Sequence, residues 1–380
     1  METTLGIGLI GYGGIGKLHT QAYRDIPLYY PGTLPPIELR AVCTSKEETA
    51  RKAAEEGGFP DWYTDVKEMC ARDDIQVVDI TVPNYAHADA VAVATAAGKH
   101  IYCEKPLARD LAEARTMKSA VEQSGILFGM TFNYRFSPAV LKARRMMEEG
   151  KLGEIYHFRA NYLHTGYQNP GRPMTWRTQK EKSGGGALFD LGSHVIDLVR
   201  FLLGDIVRLR SHTRTFMKER YVAKGESRTA PVDVDDAAWL QVELANGAAG
   251  TVEVSRFATG TLDDLSIEIH GEKGAIKYSL MDPLFLSWFD ENDAKGEYGG
   301  ERGWKKLQTL QNYPGAVIPP PRTIMGWSRL HAENQYRFLR AVVENRQPDP
   351  GLEDGFKVQA VLETAYQAAG RDGWEAVESQ

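Results

Sequence analysis

The 380-residue sequence predicts an α/β protein: an N-terminal Rossmann-type, doubly wound parallel sheet, then an α+β domain with an open, mostly antiparallel sheet. Three observations lead there. Short β-branched runs alternate with helix-length amphipathic stretches up to about Thr131, a glycine-rich turn joins the first run to the first helix, and the later sequence switches to longer runs with period-two alternation. The expected domains are therefore 1–131 and 132–380, with the C-terminal helices left free to pack back on the first domain.

The strand candidates of the first domain are 5–10 (LGIGLI), 38–44 (ELRAVCT), 77–82 (VVDITV), 99–104 (KHIYCE) and 126–130 (ILFGM). Between them, 17–26, 46–57, 86–98 and 110–125 carry Ala, Leu or Val at helical spacing, and several close on Gly. In the second domain a helix over about 138–150 precedes alternating runs at 155–164, 206–216 and 237–257. Asn246-Gly247 signals a hairpin inside the last of these, and Gly271 to Gly274 turns a second hairpin within 265–281. Such a sheet is expected to be helix-covered on one face and solvated or interacting on the other. Helices at about 326–344 and 354–370 close the chain, and the Pro-rich stretch 314–323 reads as irregular loop.

The net charge of −6 offers no positive field for a phosphate backbone, which excludes nucleic acid as a partner. No apolar run approaches the roughly 18 residues of a membrane span, and the first residues lack a signal peptide's basic flank and cleavage site. A cytoplasmic protein without a membrane partner is expected. Cys43, Cys70 and Cys103 have no paired spacing and read as reduced core side chains.

Gly11, Gly13 and Gly16 form G-x-G-x-x-G between the first strand and the first helix, with Gly14 and Ile15 completing the turn. The first glycine permits the tight turn, the second lets backbone approach a pyrophosphate, and the third lets helix and strand pack closely. The anion then meets a helix N-terminus. An acid that would bond a ribose 2′-hydroxyl is missing from the end of the second strand, where Thr44, Ser45 and Lys46 stand instead. Hydroxyls plus a cation, with Arg51 nearby, suit a 2′-phosphate. The expected cofactor is NAD(P)(H) with a lean to NADP; ordinary helix-surface charge is the competing reading of Lys46 and Arg51.

Glu104, Lys105 and Pro106 fall at the carboxyl end of a strand, where open α/β sheets bind ligands. Pro106 ends the ladder and presents Lys105 at the sheet's edge. An ammonium about 4 Å from a developing oxyanion contributes about 4 kcal/mol at an effective dielectric near 20. A solvated Lys105–Glu104 pair competes. In 183–204 three glycines open an apolar helix on which Asp190 and His194, four residues apart, rise about 6 Å and share a face. The imidazole suits exchange of a hydroxyl proton, and Asp190 can orient it or bond a neighbouring hydroxyl. A surface ion pair is the alternative, and Asp197 reads as a local cap or partner. The local sequence offers no third ligand, so no metal is expected.

Five stretches in order, GYGGIG (11–16), TVPNYAH (81–87), AGKHIYCEKPL (97–107), FNYRF (132–136) and GGGALFDLGSHVIDL (184–198), resemble the glucose–fructose oxidoreductase/inositol dehydrogenase/MocA-like family over nearly the whole chain. The resemblance implies a Rossmann domain followed by a domain with an open mixed sheet whose outer face packs between subunits, hence a homo-oligomer, dimer or tetramer. It implies that Lys105 is catalytic with Asp190 and His194, that Pro83, Asn84, His87 and Glu104 line the dinucleotide, and that Asn133 contacts its nicotinamide end. It also implies that Trp176 and Arg177 are close to substrate or cofactor. Tyr162 and His164 alternate on the preceding strand and can point into the same cleft; sheet-face packing competes.

The expected activity is hydride transfer between a nicotinamide cofactor and a secondary hydroxyl or ketone of a sugar, inositol or related polyol, with Lys105 and His194 addressing one oxygen. The alternatives are a glycoside-cleaving enzyme that recycles its bound cofactor and a non-catalytic dinucleotide-binding regulator. Joint retention of Lys105, Asp190 and His194 argues against the regulator.

Overall fold

A computed structural model describes residues 4–320 and 326–378. The chain divides into two compact units, Met1–Asn133 with Gln311–Gln359 and Tyr134–Leu310 with Ala360–Gln380. The expected boundary after residue 131 falls close to the first crossing, and the stretch 311–359 is the part that belongs with the first unit.

The first unit is built on β1 (Leu5–Ile10), β2 (Ile37–Cys43), β3 (Asp61–Tyr63), β4 (Val77–Ile80), β5 (His100–Cys103) and β6 (Phe128–Met130). They form one parallel sheet in the order β3-β2-β1-β4-β5-β6. Every residue of β1 is buried, which requires cover on both faces. The helices Gly14–Tyr29, Glu47–Gly57, His87–Ala96 and Leu111–Ser124 answer to the four amphipathic stretches. The three-residue β3 and the five-residue helix Val66–Cys70 have no sequence signal of their own. The helix Ser328–Val343 docks on Gly14–Tyr29 through Tyr336, whose ring stacks on Tyr30 at 3.5 Å, and through buried Arg329, which bonds Glu333 at 3.1 Å and Tyr30 at 3.0 Å.

The second unit carries β7 (Ile155–His164), β8 (Ile206–Arg214), β9 (Glu219–Tyr221), β10 (Thr229–Pro231), β11 (Ala237–Leu244), β12 (Ala249–Ser255), β13 (Asp263–Gly271), β14 (Gly274–Ser279), β15 (Phe285–Asp290), β16 (Lys305–Gln308) and β17 (Glu375–Ala376). Nine of them form a sheet in the order β16-β15-β14-β13-β7-β12-β11-β8-β17, parallel at β7–β12 and antiparallel at every other junction. Both expected hairpins form, the first turning at Gly247 with φ 87°. The helix expected after the glycine run is two pieces, Ala187–Asp190 and Gly192–Leu203, divided at Leu191. Asp197 is no local cap: its carboxylate takes Arg135 in a buried, doubly bonded pair, Nη2 at 2.5 Å and Nε at 2.9 Å. Arg135 reaches it from the FNYRF stretch and also lies 5.0 Å over the Phe201 ring.

The three cysteines are buried and unbridged. Among the described residues no helix is long and apolar enough to cross a membrane. Of the Pro-rich loop 314–323, residues 321–323 lie outside the described residues. Removing one partner of a buried ion pair strands the other charge. Asp197→Ala is therefore expected to lower the unfolding free energy by about 3–5 kcal/mol in urea titrations; a loss below about 1 kcal/mol would show that Arg135 finds compensation elsewhere.

Candidate active site

In the first unit β1 ends at Ile10 and the chain turns through Gly11, which has φ 92°. A Cβ on Gly11 would sit 3.0 Å from the Thr81 carbonyl, and one on Gly16 would sit 2.5 Å from the Gly11 oxygen. These two glycines are required by close packing. Gly13 and Gly14 differ: a Cβ on either would meet nothing within 4 Å, so an open cradle lies over the start of the helix Gly14–Tyr29. No side chain caps that helix and no acid occupies its first turn, which leaves its N–H groups suited to a diphosphate. Ile15 belongs to the same first turn.

At the end of β2, Thr44 Oγ1 donates to the Lys46 carbonyl at 3.1 Å and meets Thr49 Oγ1 at 2.6 Å, which fixes the short 44–46 connection. Lys46 is the N-cap residue of the helix Glu47–Gly57 and Ser45 precedes it. Arg51 pairs with Glu47 at 2.7 Å and lies over Trp62. After β4, Pro83 leads into a turn in which Asn84 is buried. His87 is fully buried, with Nε2 3.0 Å from the Val82 carbonyl and Nδ1 3.0 Å from that of Pro106. Burial pushes its pKa down. Its ring thus ties the loop after β4 to the loop after β5 from inside the protein. Asn133 is buried, and its Nδ2 has no hydrogen-bond partner among the described residues, an orphan donor that suits a ligand's carbonyl.

Glu104 and Lys105 follow β5. Glu104 Oε2 accepts the Lys105 backbone N–H at 3.2 Å, and Oε1 lies 3.3 Å from His19 Nε2. Burial opposes the Glu104 charge, yet His19 and Lys105 hold its pKa down at about 2. His19, Glu104 and His331 each bring one ligand-type atom within 4.8 Å of the others, a buried set in the first unit, whereas the expectation of no metal rests on the local sequence around Asp190 and His194.

In the second unit the glycine run is dictated by Asp235. A Cβ on Gly186 would fall 1.8 Å from the Asp235 carbonyl oxygen, while the Asp235 carboxylate accepts the N–H of Gly186 at 2.9 Å and of Leu188 at 2.8 Å. This anchor sets the start of the short helix that ends in Asp190. Asp190 Oδ2 receives Arg256 Nη2 at 3.1 Å and lies 3.9 Å from Arg177 Nε. Arg256 is buried, and its guanidinium stands 4.4 Å over the Tyr167 ring. Arg177 packs on Trp176 at 4.2 Å. Buried Arg220 gathers the carbonyls of Tyr167, Asn169 and Arg172, which holds the 165–178 segment in place.

His194 begins the next helix, with its ring edge-on to Tyr134 at 4.8 Å and 6.0 Å from Tyr162. The two tyrosine hydroxyls bond each other at 2.9 Å. Burial pushes the Tyr162 pKa up, so this hydroxyl stays protonated. His164 accepts the Gly166 N–H on Nδ1 at 2.9 Å, and burial lowers its pKa even though Asp190 opposes that shift. The imidazole is therefore neutral near pH 7. The second unit thus groups Asp190, His164, Trp176 and Arg177, and sets His194 against Tyr162. Sequence reasoning misses Arg256, Arg220 and Tyr134. Tyr134 lies beside Asn133 in a quoted motif, whereas neither arginine stands in one.

A parallel sheet in this order, opening on a glycine cradle, defines the dinucleotide-binding domain of an oxidoreductase. Residues 5–132 match the family model described as "Oxidoreductase family, NAD-binding Rossmann fold", and residues 140–277 match "GFO/IDH/MocA C-terminal domain". The chain belongs to the Gfo/Idh/MocA oxidoreductase family, and its first unit is an NAD-binding domain. It is 34% identical to levoglucosan dehydrogenase of Pseudarthrobacter phenanthrenivorans over 386 residues, covering 97% of each chain. It is also similar to D-glucoside 3-dehydrogenase of Escherichia coli, 30% identical over 67% of this chain and 71% of that one. The solved structure of levoglucosan dehydrogenase with NADH and levoglucosan superposes with a TM-score of 0.93 at 34% identity, covering 99% of this chain and 100% of that chain.

Gly13→Val puts three heavy atoms into the cradle without touching the core. It is expected to raise the NADH dissociation constant at least tenfold, read by fluorescence titration, with the melting temperature nearly unchanged. Wild-type affinity in the folded variant would displace the diphosphate from this turn.

Proposed function

We propose that the protein is an NAD-dependent dehydrogenase acting on a secondary hydroxyl of a sugar or related cyclic polyol, with a pyranose as the substrate class. The observation that carries this reading is the second unit's assembly of Asp190 on Arg256 beside His164, together with His194 set against Tyr134 and Tyr162, hydroxyl-bonding and proton-exchanging groups on rigid elements. Likeness to levoglucosan dehydrogenase over nearly the full length of both chains supports the substrate class.

When bound, the dinucleotide supplies the hydride acceptor. Gly13 and Gly14 leave room for its diphosphate, and Asn133, with Pro83 and Asn84, lines its approach. In the proposed reaction His194 takes the hydroxyl proton, a contribution of about 10² to 10⁴ in rate. Lys105 stabilises the charge that grows on the oxygen as the proton leaves. Asp190, tethered by Arg256, bonds a substrate hydroxyl, and Tyr162, His164, Trp176 and Arg177 form the walls around the ring. The pairing of Arg51 with Glu47 engages one of the cations counted toward a 2′-phosphate, and the relative's solved complex holds NADH. We therefore place NAD ahead of NADP, with Thr44, Ser45 and Lys46 contacting the ribose. A homo-oligomer is proposed through the outer face of the large sheet, where Trp239 is exposed.

A panel of pyranoses, anhydrosugars and inositols with NAD and NADP, followed at 340 nm, tests the reading. Net NADH formation with at least one pyranose, at higher kcat/KM than with NADP, is expected; product release at constant absorbance would instead indicate internal recycling. Lys105→Ala and His194→Ala are each expected to lower kcat at least a hundredfold while NADH affinity stays within about threefold. Unchanged turnover in either variant would remove that residue from the mechanism.

A further inference from the structure

His19 lies in the helix Gly14–Tyr29, just beyond the glycine cradle, and is wholly buried. Its Nδ1 stands 3.1 and 3.0 Å from the two oxygens of Asp79, itself buried on β4, and its Nε2 stands 3.3 Å from Glu104 Oε1. Nδ1 is thus hydrogen-bonded to the Asp79 carboxylate, while Nε2 lies within ion-pair distance of Glu104 Oε1, neither of these last two buried atoms having a hydrogen-bond partner among the described residues. A neutral imidazole donates from one nitrogen, whereas an imidazolium donates from both. Two carboxylates enclosed without a cation would cost several kcal/mol. We propose that His19 is a positioning residue for the cofactor end of the first unit: a buried imidazolium clamped between Asp79 and Glu104 that keeps Glu104 ionised and aimed at the Lys105 turn.

The surroundings agree. Tyr23, on the same helix as His19, is buried beside Asp79 and Tyr102, the Tyr102 ring of β5 lies 5.5 Å from His19, and the His331 ring from Ser328–Val343 lies at 5.5 Å. Gln335, on that same helix, donates to Asp79 at 3.3 Å. Burial works against protonation of His19, but Asp79 and then Glu104 outweigh it and lift the pKa to about 10. Burial, reinforced by the His19 charge, presses His331 down to about 3, so His331 is neutral and cannot replace the cation. A chain of contacts thus runs from Asp79 inside the sheet through His19 to Glu104, whose other oxygen receives the Lys105 N–H. Without the His19 charge, Lys105 is left to oppose the effect of burial on Glu104, and its carboxyl titrates at higher pH than in the wild type. The same placement bears on the cluster of His19, Glu104 and His331, because an imidazolium has no lone pair to offer a metal.

The inference rests on the carboxyl end of β5 facing the dinucleotide, and its readout is binding, so it fails separately from the catalytic role of Lys105. His19→Gln keeps an amide donor and removes the charge. Wild-type NADH affinity is expected to vary less than twofold between pH 5.5 and 8, while His19→Gln should bind at least fivefold more weakly at pH 5.5 than at pH 8. Adding Glu104→Gln should abolish that dependence. A second readout is stability. The folded pKa of His19 lies above its ordinary 6.5, so its contribution is complete below about pH 6.5 and is lost as pH rises through about 10. The melting-temperature gap between wild type and His19→Gln should therefore be wider at pH 6 than at pH 10. A flat binding profile in folded His19→Gln would overturn the proposal, as would stoichiometric divalent metal in the wild-type protein by elemental analysis. If the variant does not fold, ¹⁵N-histidine spectra of the wild type decide: two protonated nitrogens on His19 at pH 8 support the proposal, and a neutral ring refutes it.

Discussion

The functional ends of both units depend on carboxylates that are buried, as Glu104 and Asp197 are, or partly buried, as Asp190 is, and that are matched by a cation from a distant part of the chain. Glu104 meets His19, Asp190 meets Arg256, and Asp197 meets Arg135. Each pair answers the same problem. A charge taken out of water costs several kcal/mol unless a partner and further hydrogen bonds replace its hydration. The partners also fix direction: Glu104 is turned to the Lys105 backbone, and Asp190 is turned to the guanidinium that stands on Tyr167.

Close backbone approach is the second constraint, and it explains where glycine is obligatory. Gly11 and Gly16 bring strand, turn and helix together around the cradle, while Gly13 and Gly14 leave it open. In the second unit Gly185 and Gly186 lie against Tyr366 and Asp235, which delivers the short helix ending in Asp190. A side chain at any of the packed positions would displace the polar groups that follow it. The chemistry is thus held by the backbone before any side chain is considered.

How much of this is legible in the sequence follows from the range of each interaction. Five of the six strands of the first sheet announce themselves by β-branched runs, but β3 is three residues long and has no period to read. The hairpins at Gly247 and at Gly271 to Gly274 carry their turn residues and are visible; β16 and β17, short strands at the two edges of the sheet, are not, nor is β15, which pairs between β14 and β16. Lys105, Asp190 and His194 stand in quoted motifs. Arg256 is 66 residues from Asp190, and His19 is 60 from Asp79. Their partnerships are products of topology, which one sequence does not display. The break at Leu191 escapes for a different reason, since the apolar spacing continues across it unchanged.

The central claim is that a hydrogen leaves a sugar carbon and arrives on the nicotinamide of the bound dinucleotide. Turnover of a carbon-deuterated pyranose with NAD, followed by mass spectrometry of the reduced cofactor, tests it directly. The account predicts NADH one mass unit heavier than that formed from the unlabelled sugar. Reduced cofactor carrying no deuterium, or sugar consumed with no reduced cofactor formed, would contradict it.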